Sequence, residues 1–203
     1  NIYIKKCNVG DDEMAQARVI TAQQAKTMFA FIGAGKNVER NKAAFALSYY
    51  CGLRVKEIAS LTVGDVVAAD KTTKSVVFLS ATKTKGSKGR EFFVNAAAKQ
   101  HIAALLKTMP NADAQTPLIQ VMGKRKAFSP NSLCILFRNL YAAAGFDGCS
   151  SHSGRRSLAT TLCNKGVNIR LIQKIGGWSS LQSVTPYLDA NEEMLKNAVE
   201  LQV

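Results

Sequence analysis

Four residues near the end of the chain have types and spacings that suit chemistry on an anion. His152 and Arg155 are three positions apart, so on a helix they lie on one face, one turn apart, and both can donate hydrogen bonds to the same anion. Trp178 follows, and Tyr187 comes nine residues after it. A tyrosine hydroxyl can act as a nucleophile and become esterified to the group that it attacks. The stretch therefore predicts a covalent reaction at an anionic group.

The anion that fits this chemistry is a DNA phosphodiester, because a phosphate ester to tyrosine keeps the bond energy and lets the strand be resealed without ATP. Negative charge in the transition state spreads over the non-bridging oxygens, and rigid guanidinium groups suit it better than ammonium groups. Arg54 and Arg155 are the candidates for this role. A lysine near the phosphate can protonate the leaving 5′ oxygen, and the indole N–H of Trp178 can donate to a phosphate oxygen.

Taken in order, these residues resemble the motifs of the tyrosine recombinases, the phage integrase family. Arg54 in GLRVKE is similar to the first arginine of the family, and HSGR at 152–155 resembles its H-x-x-R motif. Trp178 stands at a position that the family fills with histidine or tryptophan, and Tyr187 resembles its nucleophile. The resemblance runs from about Thr21 to the end of the chain.

The catalytic lysine of the resemblance lies in a basic hairpin. Lys85 best matches the K-G-x-x-x-R pattern of the family, whereas Lys83 is similar to its K-T form, and Lys85 is favoured. Several positions depart from the family pattern, among them Thr185-Pro186 before Tyr187, extra residues at about 71–75, and two positions in or beside the HSGR motif. Gly154 replaces the usual leucine, and Arg156 replaces the usual histidine, so that Arg156 is a weaker rival of Arg155.

The resemblance implies a mainly α catalytic domain with a small three-stranded antiparallel sheet, at residues 20–203. It implies cleavage to a 3′-phosphotyrosine without metal or cofactor, a Holliday-junction intermediate, and a homo-tetramer on two DNA sites, with possible accessory DNA-bending proteins and a monomer when free. Residues 1–19 are then an arm from a missing DNA-clamping domain. The amphipathic helix expected at 191–202 either docks on a neighbouring protomer or packs on its own domain.

Charge and cysteine usage indicate the partner and the compartment. With 27 Lys and Arg against 14 Asp and Glu, the formal charge is +13, which favours double-stranded DNA over a membrane surface or a mere aid to solubility. The five cysteines are odd in number and widely spaced, and none of them forms a C-x-x-C pair, which is typical of reduced thiols in the cytoplasm. The expected location is therefore the cytoplasm, in association with the nucleoid. The longest nearly apolar run, 43–53, is too short to cross a bilayer.

The elements that must position these residues follow from hydrophobic spacing and capping signals. Helices are expected after Thr21, at about 38–50, from Arg54, at about 96–109, from Ser129-Pro130, near His152, and after Asn168. Glu57, one turn beyond Arg54, is expected to hold its guanidinium. The β-branched and aromatic runs at 66–67, 75–79 and 91–94 predict the three strands.

Other protein classes remain open at this stage. A helix-turn-helix DNA-binding protein accounts for two short helices around Gly166, but it leaves Arg54 and Tyr187 without a role. A recombinase-like protein that binds DNA without cutting it is a second alternative. A type IB topoisomerase uses similar chemistry, but the compact spacing of the motifs here is more similar to that of an integrase. A metal-dependent nuclease is disfavoured, because Asp11, Asp12 and Glu13 cluster in an apparent arm without other converging carboxylates.

Overall fold

A computed structural model of the chain describes residues 17–84, 88–187 and 199–200. Three predicted features fall largely or wholly outside this range. Lys85 lies outside the described residues, and so do most of the arm at 1–19 and most of the C-terminal helix at 191–202. The described residues form the helices α1 (Ala22–Gly33), α2 (Val38–Tyr49), α3 (Val55–Ser60), α4 (Val63–Val66), α5 (Ala96–Lys107), α6 (Pro130–Ala143), α7 (Ser153–Asn164) and α8 (Ile169–Gly176) and the strands β1 (Val76–Leu79) and β2 (Arg90–Phe93).

The helices begin where the sequence places capping residues. Thr21 Oγ1 accepts from the backbone N–H of Gln24 at 3.2 Å, and the Gln24 side chain accepts from the Thr21 N–H at 2.9 Å, which together make a capping box. Ser129 caps α6 ahead of Pro130, and Asn168 Oδ1 accepts from the N–H of Arg170 at the start of α8. The expected helix starts at these three positions are confirmed.

The sheet has two strands in the described residues, so the prediction of three strands is wrong. β1 and β2 pair antiparallel, with Val77 opposite Phe92 and Leu79 opposite Arg90. Val66, expected in a strand, ends helix α4 instead, and Val67 forms only an isolated bridge with Thr73.

Local capping explains the missing strand. Thr62 and Asp65 form a capping box, in which the Asp65 carboxylate accepts from the backbone N–H of Thr62 at 2.7 Å. This starts a helical turn just where the β-branched residues follow. The chain then reverses tightly at Lys71, whose φ of 64° is left-handed, and only Val67 is left to pair.

Two apolar clusters hold the fold together. The larger one is formed by residues from α1 to α6 and from both strands. The smaller one consists of Ala159 and Cys163 on α7, Ile172 on α8 and Val184, with Trp178 and Tyr187 packed against it. The second cluster therefore fixes the segment after α8 onto α7. None of the described helices combines the length and the hydrophobicity needed to span a bilayer.

Candidate active site

One cavity of about 750 Å³ contains five of the six predicted site residues in its walls. Arg54 comes from the start of α3, His152 and Arg155 from the start of α7, and Trp178 and Tyr187 from the segment after α8. Residues more than a hundred positions apart in the chain thus face one space. The sixth, Lys85, lies outside the described residues.

Arg155 is the most buried charged group of the cavity, with 5% of its surface exposed. Its Nη1 donates to the carbonyl oxygens of Gly52 at 2.7 Å and Gly176 at 2.5 Å, and its guanidinium lies 3.9 Å from the centre of the Trp178 ring. Its Nη2 has no hydrogen-bond partner among the described residues. Burial, followed by the charge of Arg54, lowers the pKa of Arg155 to about 9, so the group stays charged at neutral pH with one donor unused.

Arg54 precedes the first residue of α3 and is held at two points. Its Nη1 lies 3.3 Å from Glu57 Oε1, and its Nη2 donates to the Gly177 carbonyl oxygen at 3.1 Å. The expectation that Glu57 would hold the Arg54 guanidinium is confirmed. Burial alone would raise the pKa of the Glu57 carboxyl, but hydrogen bonds and charges from Arg90 and Arg54 lower it below its usual value.

The C-terminal end of α8 orients both arginines. The carbonyl of Gly176 accepts from Arg155 and that of Gly177 from Arg54, at the helix end that carries partial negative charge. A Cβ added at Gly176 would lie 1.6 Å from Cζ3 of Trp178, so only glycine lets the indole pack there. The Gly-Gly-Trp sequence therefore places two guanidinium groups and one indole together.

Tyr187 ends a short 3₁₀ turn and is half-buried. Its ring centre lies 5.7 Å from that of Trp178, and the Arg156 guanidinium carbon lies 5.2 Å from the Tyr187 ring centre. Arg156, the weaker rival for the arginine role, thus contacts the tyrosine ring, while Arg155 occupies the buried position. Both arginines also line the cavity.

His152 immediately precedes α7 and is exposed at the cavity wall. Two positions on, Gly154 is buried against α2: a Cβ there would lie 2.5 Å from Ser48 Oγ and 3.0 Å from the Tyr49 backbone nitrogen. The usual leucine has no room at this position. The departure from the family motif is therefore a consequence of how closely α7 packs on α2.

The lysine candidates differ in what the structure describes. Lys83 forms an ion pair with Asp65 and is not among the described residues that line the cavity. Next to it, the Thr84 carbonyl accepts from Lys56 Nζ at 3.2 Å, and Thr84 Oγ1 donates to the Lys88 carbonyl at 2.7 Å. The described ends of the hairpin are therefore fastened to α3 close to Arg54.

Helix α6 contributes a wall of the cavity that the sequence motifs did not predict. Asn131, Ile135 and Arg138 line the cavity from this helix. Their spacing of four and three residues is that of one exposed helix face, which was the available signal. No cluster of three or more His, Cys, Asp or Glu side chains able to hold a metal ion occurs in the described part of the chain.

Comparison with known proteins shows what the chain is similar to. The model of the phage integrase family matches residues 18–194. Tyrosine recombinase XerC of Rhodospirillum centenum is 31% identical over 162 residues, which cover 79% of this chain and 46% of that protein. Tyrosine recombinase XerA of Pyrococcus horikoshii is 28% identical over 161 residues, covering 79% and 54%. The chain spans about half the length of these curated relatives.

Solved structures share the fold. A crystal structure of XerA recombinase superposes with a TM-score of 0.73 at 22% identity, covering 91% of this chain and 65% of that one. The Tn1549 transposon integrase, in complex with a circular intermediate DNA, gives a TM-score of 0.73 at 18% identity, covering 94% and 67%. The described helices and hairpin therefore adopt the tyrosine recombinase catalytic-domain fold.

Proposed function

The chain belongs to the phage integrase family, and on that premise we propose that residues 20–203 are the catalytic domain of a site-specific tyrosine recombinase. Such an enzyme cuts and rejoins DNA through a 3′-phosphotyrosine, without metal or ATP. The observation that carries the proposal is the convergence of Arg54, His152, Arg155, Trp178 and Tyr187 on one cavity. Chance packing of an unrelated domain gives no reason for these five side chains to meet.

In the proposed reaction the phenolic oxygen of Tyr187 attacks the scissile phosphorus. A new phosphorus–oxygen bond forms to the tyrosine, whose phenolic proton is released to solvent. The bond to the 5′ oxygen breaks, and the released 5′ oxygen takes up a proton to become a hydroxyl group. Lys85 is the proposed donor of that proton. Attack by the 5′ hydroxyl of another strand reverses each step, restores the phosphodiester and frees Tyr187.

The two arginines are proposed to stabilise the transition state. Arg155 Nη1 is used by two carbonyl oxygens, so the unpartnered Nη2 is the donor left for a non-bridging phosphate oxygen. Arg54 is 25% exposed at its side chain, and this gives a phosphate access to its guanidinium edge. Donors that are fixed before the reaction need little reorganisation when negative charge develops. His152 and Trp178 are proposed as further donors to the phosphate oxygens.

Lys85 is preferred to Lys83 for the general acid. The ammonium group of Lys83 is engaged by Asp65, and this pairing would have to break before the proton could be given to DNA. Thr84, the residue that precedes Lys85 in the sequence, accepts a hydrogen bond from Lys56 of α3, the helix that begins directly after Arg54. The K-G-x-x-x-R pattern supports the same choice.

The proposed partner is double-stranded DNA, which suits the charge of +13. A homo-tetramer on two DNA sites, helped by accessory DNA-bending proteins, and a nucleoid-associated location in the cytoplasm complete the proposal. The solved Tn1549 transposon integrase complex, which contains DNA, supports the choice of partner by analogy of fold.

A nicked suicide substrate tests the reaction. The substrate carries the DNA site that flanks the parent gene, with a nick close to the scissile phosphate. After cleavage the short fragment beside the nick diffuses away, so its 5′ hydroxyl cannot reverse the reaction and the protein stays covalently attached to the DNA. We expect wild type and the control Tyr50→Phe to form the adduct with EDTA present, and Tyr187→Phe to form none. Tyr50 is half-buried directly after the end of α2 and is not among the described residues that line the cavity.

The remaining outcomes distinguish the alternatives. Binding of the site by the wild type without any adduct would favour a DNA-binding protein that has lost cleavage. An adduct with Tyr187→Phe would identify a different nucleophile, and loss of cleavage in EDTA would indicate a metal-dependent nuclease. Relaxation of supercoils without recombination of paired sites would favour a type IB topoisomerase.

A further inference from the structure

Arg90, the first residue of β2, grips the buried carboxylate that holds Arg54. Its Nε donates to Glu57 Oε1 at 2.9 Å and its Nη2 to Oε2 at 2.7 Å, a two-pronged ion pair. The Arg90 side chain is 13% exposed, and Glu57 is fully buried. Such a pair is held rigidly, because both partners are shielded from water and both carboxylate oxygens are engaged.

The same arginine also contacts the end of α8. Arg90 Nη1 lies 3.4 Å from the carbonyl oxygen of Ile175, and a Cβ added at Gly177 would lie only 2.5 Å from Arg90 Cδ. The backbone of Gly177, whose φ is 62°, therefore rests directly on the Arg90 side chain. Replacing this contact would let the end of α8 move.

Arg54 depends on both of these neighbours. Its Nη1 is paired with Glu57 and its Nη2 donates to the Gly177 carbonyl, so Arg90 touches each of the two groups that aim the Arg54 guanidinium. Arg90 itself is not among the described residues that line the cavity. It can act on a bound phosphate only through its neighbours.

We propose that Arg90 is a positioning residue, which fixes Glu57 and the end of α8 so that the Arg54 guanidinium meets the charge on the scissile phosphate. This inference rests on the proposed function. A guanidinium that is displaced by about 1 Å loses much of its effect on the reaction, on the order of 100-fold in rate. Removal of Arg90 therefore slows cleavage without removing any group that touches DNA.

The experiment compares two suicide substrates, one with the natural phosphodiester and one with a methylphosphonate at the scissile position. The methylphosphonate carries no negative charge, so a misplaced arginine matters less to its cleavage. The variants are Arg90→Gln, Arg54→Ala and the double variant. Lys88→Gln is the matched control, because Lys88 is an exposed cation two residues from Arg90, and it removes one charge from the same hairpin.

We expect Arg90→Gln to form the adduct on the phosphodiester about 10-fold to 100-fold more slowly than Lys88→Gln, and the gap to shrink to about threefold or less on the methylphosphonate. The double variant should be no slower than Arg54→Ala, because both changes act on one group. Arg90→Lys, which keeps a charge beside Glu57 but not the two-pronged grip, should show the same pattern at smaller size, and it replaces Arg90→Gln if that variant fails to fold.

Three results overturn the inference. They are equal rates for Arg90→Gln and Lys88→Gln on the phosphodiester, an equal slowing of both substrates by the Arg90 variants, and a double variant whose defect is the product of the two single defects. Absence of any adduct with the wild type would instead remove the proposed function. The two failures are therefore distinguishable in one set of reactions.

Discussion

A guanidinium group that is buried beside a second one is costly to the fold, and Arg155 is such a group. Its Nη1 satisfies the carbonyls of Gly52 and Gly176, while Nη2 is buried without a partner in the described residues. A buried donor without a partner costs about 1–3 kcal/mol. The fold therefore tolerates an unpaired buried donor at some cost in stability, and this supports the proposal that Arg155 Nη2 donates to a phosphate.

Arg155→Lys separates the fold from the chemistry. A lysine ammonium can still donate to the two carbonyls, but it lacks the second terminal nitrogen with which the guanidinium could donate to a phosphate. We expect a melting temperature within a few degrees of wild type and adduct formation slower by about 100-fold to 1000-fold. Arg138→Lys, at the exposed α6 wall of the same cavity, is the control and should stay near wild type. Equal rates for the two variants would contradict the role of Arg155.

Glu57 should make stability depend on acid pH. Its pKa is lower in the folded protein than its unfolded value of about 4.3, so its contribution to the free energy of unfolding is present above that value and is lost as the pH falls. We expect Glu57→Gln to lower stability at pH 7 by about 3 kcal/mol and to flatten the decline between about pH 5 and pH 3. Urea unfolding across this range measures both effects.

Asp65→Asn is the comparison for this acid response. Burial acts to raise the pKa of Asp65, but hydrogen bonds from Lys83 and Thr62 lower it overall. Its loss should leave the Glu57 part of the decline in place. Parallel stability curves for wild type and Glu57→Gln would show that the carboxylate is not held in its charged form.

At the scale of elements, the contact between α2 and α7 requires a glycine. Alanine normally stabilises a helix interior over glycine by about 1 kcal/mol, yet at Gly154 its Cβ would press on the backbone of Ser48 and Tyr49. We expect Gly154→Ala to lower the free energy of unfolding by about 1–3 kcal/mol, and Thr161→Ala, an exposed site on the same helix, to leave it unchanged or higher. A stabilised Gly154→Ala would show that the two helices can separate without cost.

The end of α8 can be followed through the single tryptophan of the chain. In Gly176→Ala the new methyl group takes the space of the Trp178 indole, so the ring must leave its place over Arg155. We expect a change in tryptophan emission together with loss of adduct formation. Leu171→Ala, on the exposed face of α8, should change neither. Unchanged emission in Gly176→Ala would mean that the indole is not fixed by the glycine.

At the scale of the whole molecule, the charge of +13 should dominate DNA affinity. Each phosphate contact adds about 0.9 to the slope of log affinity against log salt, and we expect a loss of about 1000-fold between 50 and 200 mM salt for the isolated chain. Arg138→Gln should reduce the slope by about one contact. Lys26→Gln, on α1, is the charge-matched control. Fluorescence anisotropy measures this affinity. A DNA affinity that does not change with salt concentration would contradict the prediction.

The sequence by itself determined the local structure and the identity of the candidate residues. Caps at Thr21, Ser129 and Asn168 mark helix starts because a side chain and the next few backbone N–H groups decide them. The order and spacing of Arg54, HSGR at 152–155, Trp178 and Tyr187 were enough to indicate the family. Their catalytic roles remain a proposal.

Only the tertiary structure decided how these pieces meet. The prediction of a third strand was wrong because the capping box of Thr62 and Asp65 starts a helical turn despite the β propensity of Val66 and Val67. The sequence contains both signals but does not show which of them is stronger. The contacts of Arg90 with Glu57 and α8, and of Arg155 with Gly52 and Gly176, join segments far apart in the chain. Such contacts depend on packing among all the helices, and packing is a property of the folded whole.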